Sequence, residues 1–212
     1  MRLVGRQFGN PSGLVGRLVG RAMARGNAAF NRWVIDSVAD RVGTELAQIV
    51  DLGCGPGVGL EKLLLAFPDA QVWGIDRSPV MIAQSQRRNR REIESGRLHL
   101  IQGDLSALSE LAPVDLVVAV HLLYFWHQPG AELARVRAAL RPGAMFAIGY
   151  RLREDMPRVS QRQFPAEGHR LYDSDEEVAT LLREAGFKDV QHTLQEPSSG
   201  QESAGRLAIG TA

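Results

Sequence analysis

Cysteine is nearly absent. Cys54 is the single one in 212 residues, so no intrachain disulfide can form and a reducing compartment is expected. No apolar run reaches the roughly 18 residues that would span a bilayer. The opening residues, MRLVGRQFGNPSG, lack the continuous apolar core of a secretion signal, and a cytoplasmic protein is the expectation. Neither sign of charge is in excess, with 25 Lys and Arg against 24 Asp and Glu, so bulk charge gives no reason to expect a polyanion partner. Lysine is scarce: Lys62 and Lys188 are the only two, and neither has Tyr four positions before it, which removes a Tyr-x-x-x-Lys hydride-transfer pair. The five histidines and one cysteine show no C-x-x-C or H-E-x-x-H spacing, and no metal is expected.

What is present is a regular alternation of strand-like and helix-like segments. AQIVDL (47–52) reads as a buried strand that ends in a glycine loop. GLEKLLLAF (59–67) has helical spacing and stops at Pro68-Asp69. AQVWGID (70–76) is a second strand. Ser78-Pro79 is an N-cap with Pro at the first helical position, opening a helix to about Ser95 that Gly96 ends. RLHLIQGD (97–104) is a third strand, and VDLVVAVHLLYF (114–125) is apolar enough for a central strand covered on both faces. A helix from Pro129 leads to AMFAIGY (144–150), a fifth strand. Residues 151–173 read as Arg-rich and irregular. Ser174 and Glu177 form a capping-box pattern before a last helix. FKDVQHTLQ (187–195) and RLAIGTA (206–212) pair as a terminal antiparallel hairpin. The alternation implies right-handed crossovers and an α/β, doubly wound, mostly parallel seven-stranded sheet.

The loop VDLGCGPGVGL (50–60) has glycine at 53, 55, 57 and 59. A glycine-rich turn between a first strand and a first helix is a nucleotide site by position, and side chains at 53, 55 and 57 would keep a ligand off the backbone. The spacing is G-x-G-x-G, with the third glycine one residue earlier than in the dinucleotide fingerprint. Asp76 ends the second strand, where a carboxylate can accept two ribose hydroxyls. Asp51, just ahead of the glycines, suits a ligand with a cationic amine better than a pyrophosphate.

The segments VDLGCGPG (50–57), WGID (73–76), QGDL (102–105), DLVVAVHLLYFW (115–126) and LRPGAMFAIG (140–149) together resemble the class I S-adenosylmethionine-dependent methyltransferases. The likeness covers 47–150 and extends to the tail at 174–212. It is most similar to the small-molecule branch that includes quinone-biosynthesis enzymes. The resemblance implies a Rossmann-like fold, S-adenosyl-L-methionine as cofactor and S-adenosyl-L-homocysteine as product. It also implies roles: Asp51 and the loop Gly53, Cys54, Gly55 and Gly57 at the methionine half, Asp76 on the ribose with Arg77 beside the adenosine, Asp104 on the adenine amino group with Leu105 on the ring, and His121 with Leu122 near the methionine end. His121 and Tyr124 are the candidate catalytic groups, His121 as a contact rather than a base and Tyr124 as a pocket wall. His127 and His169 read as loop residues, Tyr150 as a lesser pocket candidate, and Cys54 as a small loop residue without a nucleophile's partner.

Residues 1–42 read as an N-terminal helical lid or cap and 43–212 as the cofactor-binding domain. In the former, LVGR recurs at 3–6, 14–17 and 18–21, and no acid precedes Asp36. A lid or cap is the main reading of this basic segment, and contact with an anionic membrane surface the minor one. Phe30 and Trp33 fall on an apolar helical face and read as core. The run Arg87, Arg88, Arg90 and Arg91 reads as a solvated face, so no nucleic acid is expected. The expected function is methyl transfer by in-line displacement to a small, apolar or aromatic acceptor. The arginines of 151–170 leave an anionic acceptor open. The alternatives are a methyltransferase acting on protein or nucleic acid, disfavoured by the missing Asn/Asp-Pro-Pro-Tyr/Phe signature, and an inactive cofactor-binding regulator. Monomer and homodimer both remain open.

Overall fold

Short β-branched and aliphatic runs, each interrupted by a glycine or polar turn, become seven strands of one sheet: β1 (Gln48–Leu52), β2 (Gln71–Asp76), β3 (Leu98–Gln102), β4 (Val114–Val120), β5 (Leu140–Tyr150), β6 (Lys188–Gln195) and β7 (Gly205–Thr211). They come from a computed structural model that describes residues 27–43, 45–195 and 204–212. The basic segment 1–26 and most of the loop joining the last two strands lie outside the described residues. The order is β3-β2-β1-β4-β5-β7-β6. The first five strands pair in parallel, and β7 inserts antiparallel between β5 and β6. The expected hairpin therefore forms, with β6 at the sheet edge.

Helices cover both faces. α1 (Ala28–Val42), α2 (Val58–Ala66) and α3 (Pro79–Arg88) pack on one side, with Phe30, Val34, Val38, Leu60, Leu63 and Ile82 against Ile49, Leu116 and Val118. The short α4 (Arg90–Glu94) and α5 (Leu108–Leu111) follow in chain order, then α6 (Pro129–Ala139), α7 (Arg158–Ala166) and α8 (Asp175–Glu184). Leu133, Val136, Val178 and Leu182 close the other side against Val50, Val117, Phe146 and Ile148. Successive residues of β4 thus face opposite cores, which is why its sequence shows no polar alternation.

Three elements differ from the sequence expectation. The helix foreseen over 79–95 is two helices broken at Asn89, whose Nδ2 donates to the carbonyls of Gly57 and Ser85. The fourth strand stops at Val120, because His121 takes a left-handed φ of 57° and Leu123–Phe125 form a 3-10 turn. The segment expected to be irregular contains α7. Asp115 fixes the start of β4 against β1, accepting from the amides of Ala47 and Gln48 at 2.6 and 2.8 Å. Among the described residues no helix is long and apolar enough to cross a membrane, and no cluster of three metal-ligating side chains is found.

Candidate active site

β1 has β2 on one side and β4 on the other, so the strand order reverses between β1 and β4. A crevice opens at the carboxyl ends of strands at such a point. Asp51 stands there, paired in register with Gly74 and Val118. Its side chain is 4% exposed. Burial first, and the charge of Asp76 second, push its carboxyl up to about 7. No hydrogen bond to it is made among the described residues. A Cβ placed on Gly59 would lie 2.9 Å from Asp51 Oδ2 and 3.1 Å from Asn31 Oδ1. Two acceptor oxygens thus flank a bare stretch of the first turn of α2. Asn31 belongs to α1 and donates its own Nδ2 to the carbonyl of Asn27 at 2.9 Å.

The loop ahead of α2 is held from within. The amides of Gly53 and Cys54 donate to Ile75 O at 2.8 and 3.1 Å, that of Gly55 to Asp76 Oδ2 at 2.9 Å, and that of Gly57 to Cys54 O at 3.1 Å. A Cβ at Gly53 would strike Leu122 Cδ1 at 2.9 Å, and one at Gly57 would strike Asn89 Nδ2 and Ser85 Oγ at 2.5 Å. At Gly55 it would meet nothing within 4 Å. Packing against the protein is thus a reason for glycine at 53 and 57 in addition to the expected clear path for a ligand. Of the three, Gly55 alone opens on empty space. Cys54 is buried, and burial raises its thiol well above the usual range, so it is an inert loop residue.

Acidic groups continue along the sheet edge. Asp76 ends β2; its Oδ1 accepts from the Ser78 amide at 2.8 Å, and burial, the largest influence, raises its pKa. Asp104 follows β3 and is exposed. It accepts from the Ser106 hydroxyl and amide at 2.6 and 2.9 Å, which lowers its pKa, and pairs with Arg77 at 3.6 Å. Leu105 is buried behind it. Three carboxylates on three successive strand ends suit a ligand rich in donors and repel a pyrophosphate.

Across the crevice His121 leaves β4, its amide donating to Gly149 O at 2.8 Å. Its ring stacks on Phe30 at 4.7 Å and lies 6.2 Å from Tyr124. Desolvation, aided by Arg151, drops its pKa to about 3, so the imidazole is neutral at physiological pH. Tyr124 is buried, and its hydroxyl is bonded to both the amide and the carbonyl of Arg151. Tyr150 is buried away from the crevice, its hydroxyl bonded to Asp175 Oδ1 at 2.6 Å and His192 Nδ1 at 2.9 Å. Trp126 is core, stacked with Phe146, and His127 is exposed. The structure therefore brings together Asp51, Gly55, Asp76, His121 and Leu122 and adds Asn31. The sequence reading did not single out Asn31, a polar residue within α1 that no motif marks.

A family profile described as a methyltransferase domain matches residues 49–143. A trans-aconitate 2-methyltransferase of Variovorax paradoxus is 34% identical over 74% of this chain and 54% of its own length. The crystal structure of the N-methyltransferase NodS from Bradyrhizobium japonicum, in complex with S-adenosylhomocysteine, has a TM-score of 0.64 at 21% identity, over 88% of this chain and 86% of that one. Residues 49–143 are thus similar in sequence to methyltransferase domains, and the whole described fold is that of solved methyltransferases. An uncharacterised methyltransferase of Bacillus subtilis is 25% identical over 82% of this chain and 87% of its own length. The chain spans only 36% to 54% of the length of the trans-aconitate enzymes it matches. These relatives carry other names than the quinone-biosynthesis enzymes, and the likeness to that finer branch gains no support from them.

Proposed function

We propose that this protein transfers the methyl group of S-adenosylmethionine to a small acceptor with an apolar or aromatic body. The buried Asp51 carboxylate, unpartnered among the described residues, carries the reading, because such a charge calls for a cationic partner and the cofactor's amino group would supply one. In this reading Asn31 Oδ1 shares that amine, Gly55 gives room for the ligand, Asp76 takes the ribose hydroxyls beside Arg77, and Asp104 takes the adenine amine with Leu105 beneath the ring. When bound, the cofactor supplies an electrophilic methyl on a sulfonium and leaves as S-adenosylhomocysteine.

The protein's own part is alignment and exclusion of water. Effects of that kind supply on the order of 7–11 kcal/mol at best. His121, Phe30 and Leu122 wall the methyl end in apolar and aromatic surface. A neutral imidazole with pKa about 3 is a poor general base at neutral pH, which favours His121 as a contact. Tyr124, expected as a catalytic candidate, has its hydroxyl tied to Arg151 and acts through the position of that residue.

Titration calorimetry tests the proposal. S-adenosylmethionine and S-adenosylhomocysteine should bind and NAD should not. Asp51→Asn should weaken binding by about 1.5–3 kcal/mol, the worth of a charge-assisted hydrogen bond. Absence of binding, or an unchanged Asp51→Asn variant, overturns the assignment. Methyl-labelled cofactor added to cell extract should label small molecules, and label confined to macromolecules overturns the acceptor class.

A further inference from the structure

Arg151 comes directly after β5 at the carboxyl end of the sheet, the end where such folds hold their ligands. Its main chain is fixed at two points by Tyr124, whose hydroxyl accepts from the amide and donates to the carbonyl at 3.2 Å. Its side chain lies across Phe30, with Cζ 5.8 Å from the ring centroid. Phe30 in turn stacks on His121. The guanidinium therefore sits over the aromatic wall of the methyl end.

The other arginines nearby are differently placed. Arg153 pairs with Asp173 at 2.6 Å, and Arg206 pairs with Asp155 and Asp175 at 3.3 and 3.4 Å. Arg158, Arg162 and Arg170 are exposed. Arg151 is half-buried, and among the described residues no carboxylate pairs with it. Its Nε is sealed from solvent without a hydrogen-bond partner. A partly desolvated cation with an unused donor is costly to keep. A carboxylate meets the guanidinium fork with two parallel bonds, a geometry that an ammonium cannot offer.

We propose that Arg151 is a specificity residue that holds a carboxylate of the methyl acceptor in the crevice beside Phe30 and His121. This rests on the methyl-transfer reading above. It adds that the acceptor is a small carboxylic acid, with its apolar part against the aromatic wall and its charge on Arg151. The fixed main chain matters because a fork that is already oriented loses less freedom on binding.

The test uses the full chain saturated with S-adenosylhomocysteine. Two matched pairs serve as probes: trans-cinnamate against trans-cinnamamide, and trans-aconitate against its trimethyl ester. In calorimetry at least one acid should bind about tenfold or more tighter than its neutral partner, the effect of one charge-assisted contact. Arg151→Met should reduce that preference to below about threefold, and Arg151→Lys should keep part of it because a point charge remains. Both variants should bind S-adenosylhomocysteine like the parent, which separates loss of the contact from loss of the fold; should Arg151→Met fail to fold, Arg151→Gln takes its place. No preference for either acid in the parent protein, or a preference that survives loss of the charge, overturns the assignment of Arg151 alone. Failure of the parent protein to bind S-adenosylhomocysteine overturns the methyl-transfer reading and this one with it.

Discussion

At the scale of single residues, neighbouring glycines in one loop serve different ends. Gly57 has φ 83°, and a side chain there would collide with Ser85 and Asn89 of the adjoining helix region. Gly55 has φ 52° and faces open space. Gly57→Ala should therefore lower stability by roughly 2–5 kcal/mol, combining left-handed strain with overpacking. Gly55→Ala should cost only about 1–2 kcal/mol of stability while weakening S-adenosylhomocysteine binding more than tenfold by filling the ligand's side of the loop. Urea denaturation and calorimetry on both variants decide it. Equal stability losses, or unchanged affinity in Gly55→Ala, would refute the division. The spacing of glycines in the sequence showed that the backbone is special here, but not which positions face the protein and which face the ligand. That distinction depends on Leu122, Ser85 and Asn89, which arrive from later parts of the chain.

At the scale of elements, the alternation of strands and helices was legible because each strand is a short apolar run closed by a turn residue. The acids Asp51, Asp76 and Asp104 could be placed at strand ends for the same reason. Reading failed where local pattern is weak. In α7, RVSQRQFPA, only Phe164 is a buried apolar residue and Val159 is 60% exposed, so no helical periodicity could show. The end of β4 was hidden because HLLYF continues its apolar run through a turn. That turn is anchored by Tyr124, whose hydroxyl joins it to the residue after β5. Tyr124→Phe would leave the Arg151 amide without its acceptor and should cost about 1–3 kcal/mol in urea denaturation. Affinity for S-adenosylhomocysteine should stay unchanged, since Tyr124 lies outside the cofactor cradle. A variant of full stability would show that the two segments hold together without this bond.

At the scale of the whole molecule, the chain folds around a carboxyl that it disfavours in the charged form, and this couples stability to cofactor binding with opposite signs. Asp51 has a native pKa of about 7 against an ordinary value near 4. Between those values the native state holds a proton that the unfolded chain has released. Its contribution to stability is therefore full below about pH 4 and declines as pH rises toward 7. Asp76, also raised by burial, acts in the same direction. Exposed Asp104, lowered by its bonds to Ser106, acts in the opposite one at lower pH. His121, held down to about 3 by burial, also acts in the opposite direction, because below about 6.5 the unfolded chain takes up a proton on this imidazole that the native state refuses. A ligand amine needs Asp51 ionised. Affinity for S-adenosylhomocysteine should thus fall as pH drops below 7, approaching about tenfold per unit, while Asp51's own share of the ligand-free protein's stability, read as the difference between the parent and Asp51→Asn, rises. Asp51→Asn should flatten the affinity trend between pH 5 and 8 and leave a stability that rises with pH, the sign set by His121. Melting curves and calorimetry across that window check the pair together. If the stability difference between parent and Asp51→Asn ran parallel to affinity rather than against it, the buried carboxyl would not be the group that meets the cofactor's charge, because only a proton shared between fold and ligand site makes one gain where the other loses.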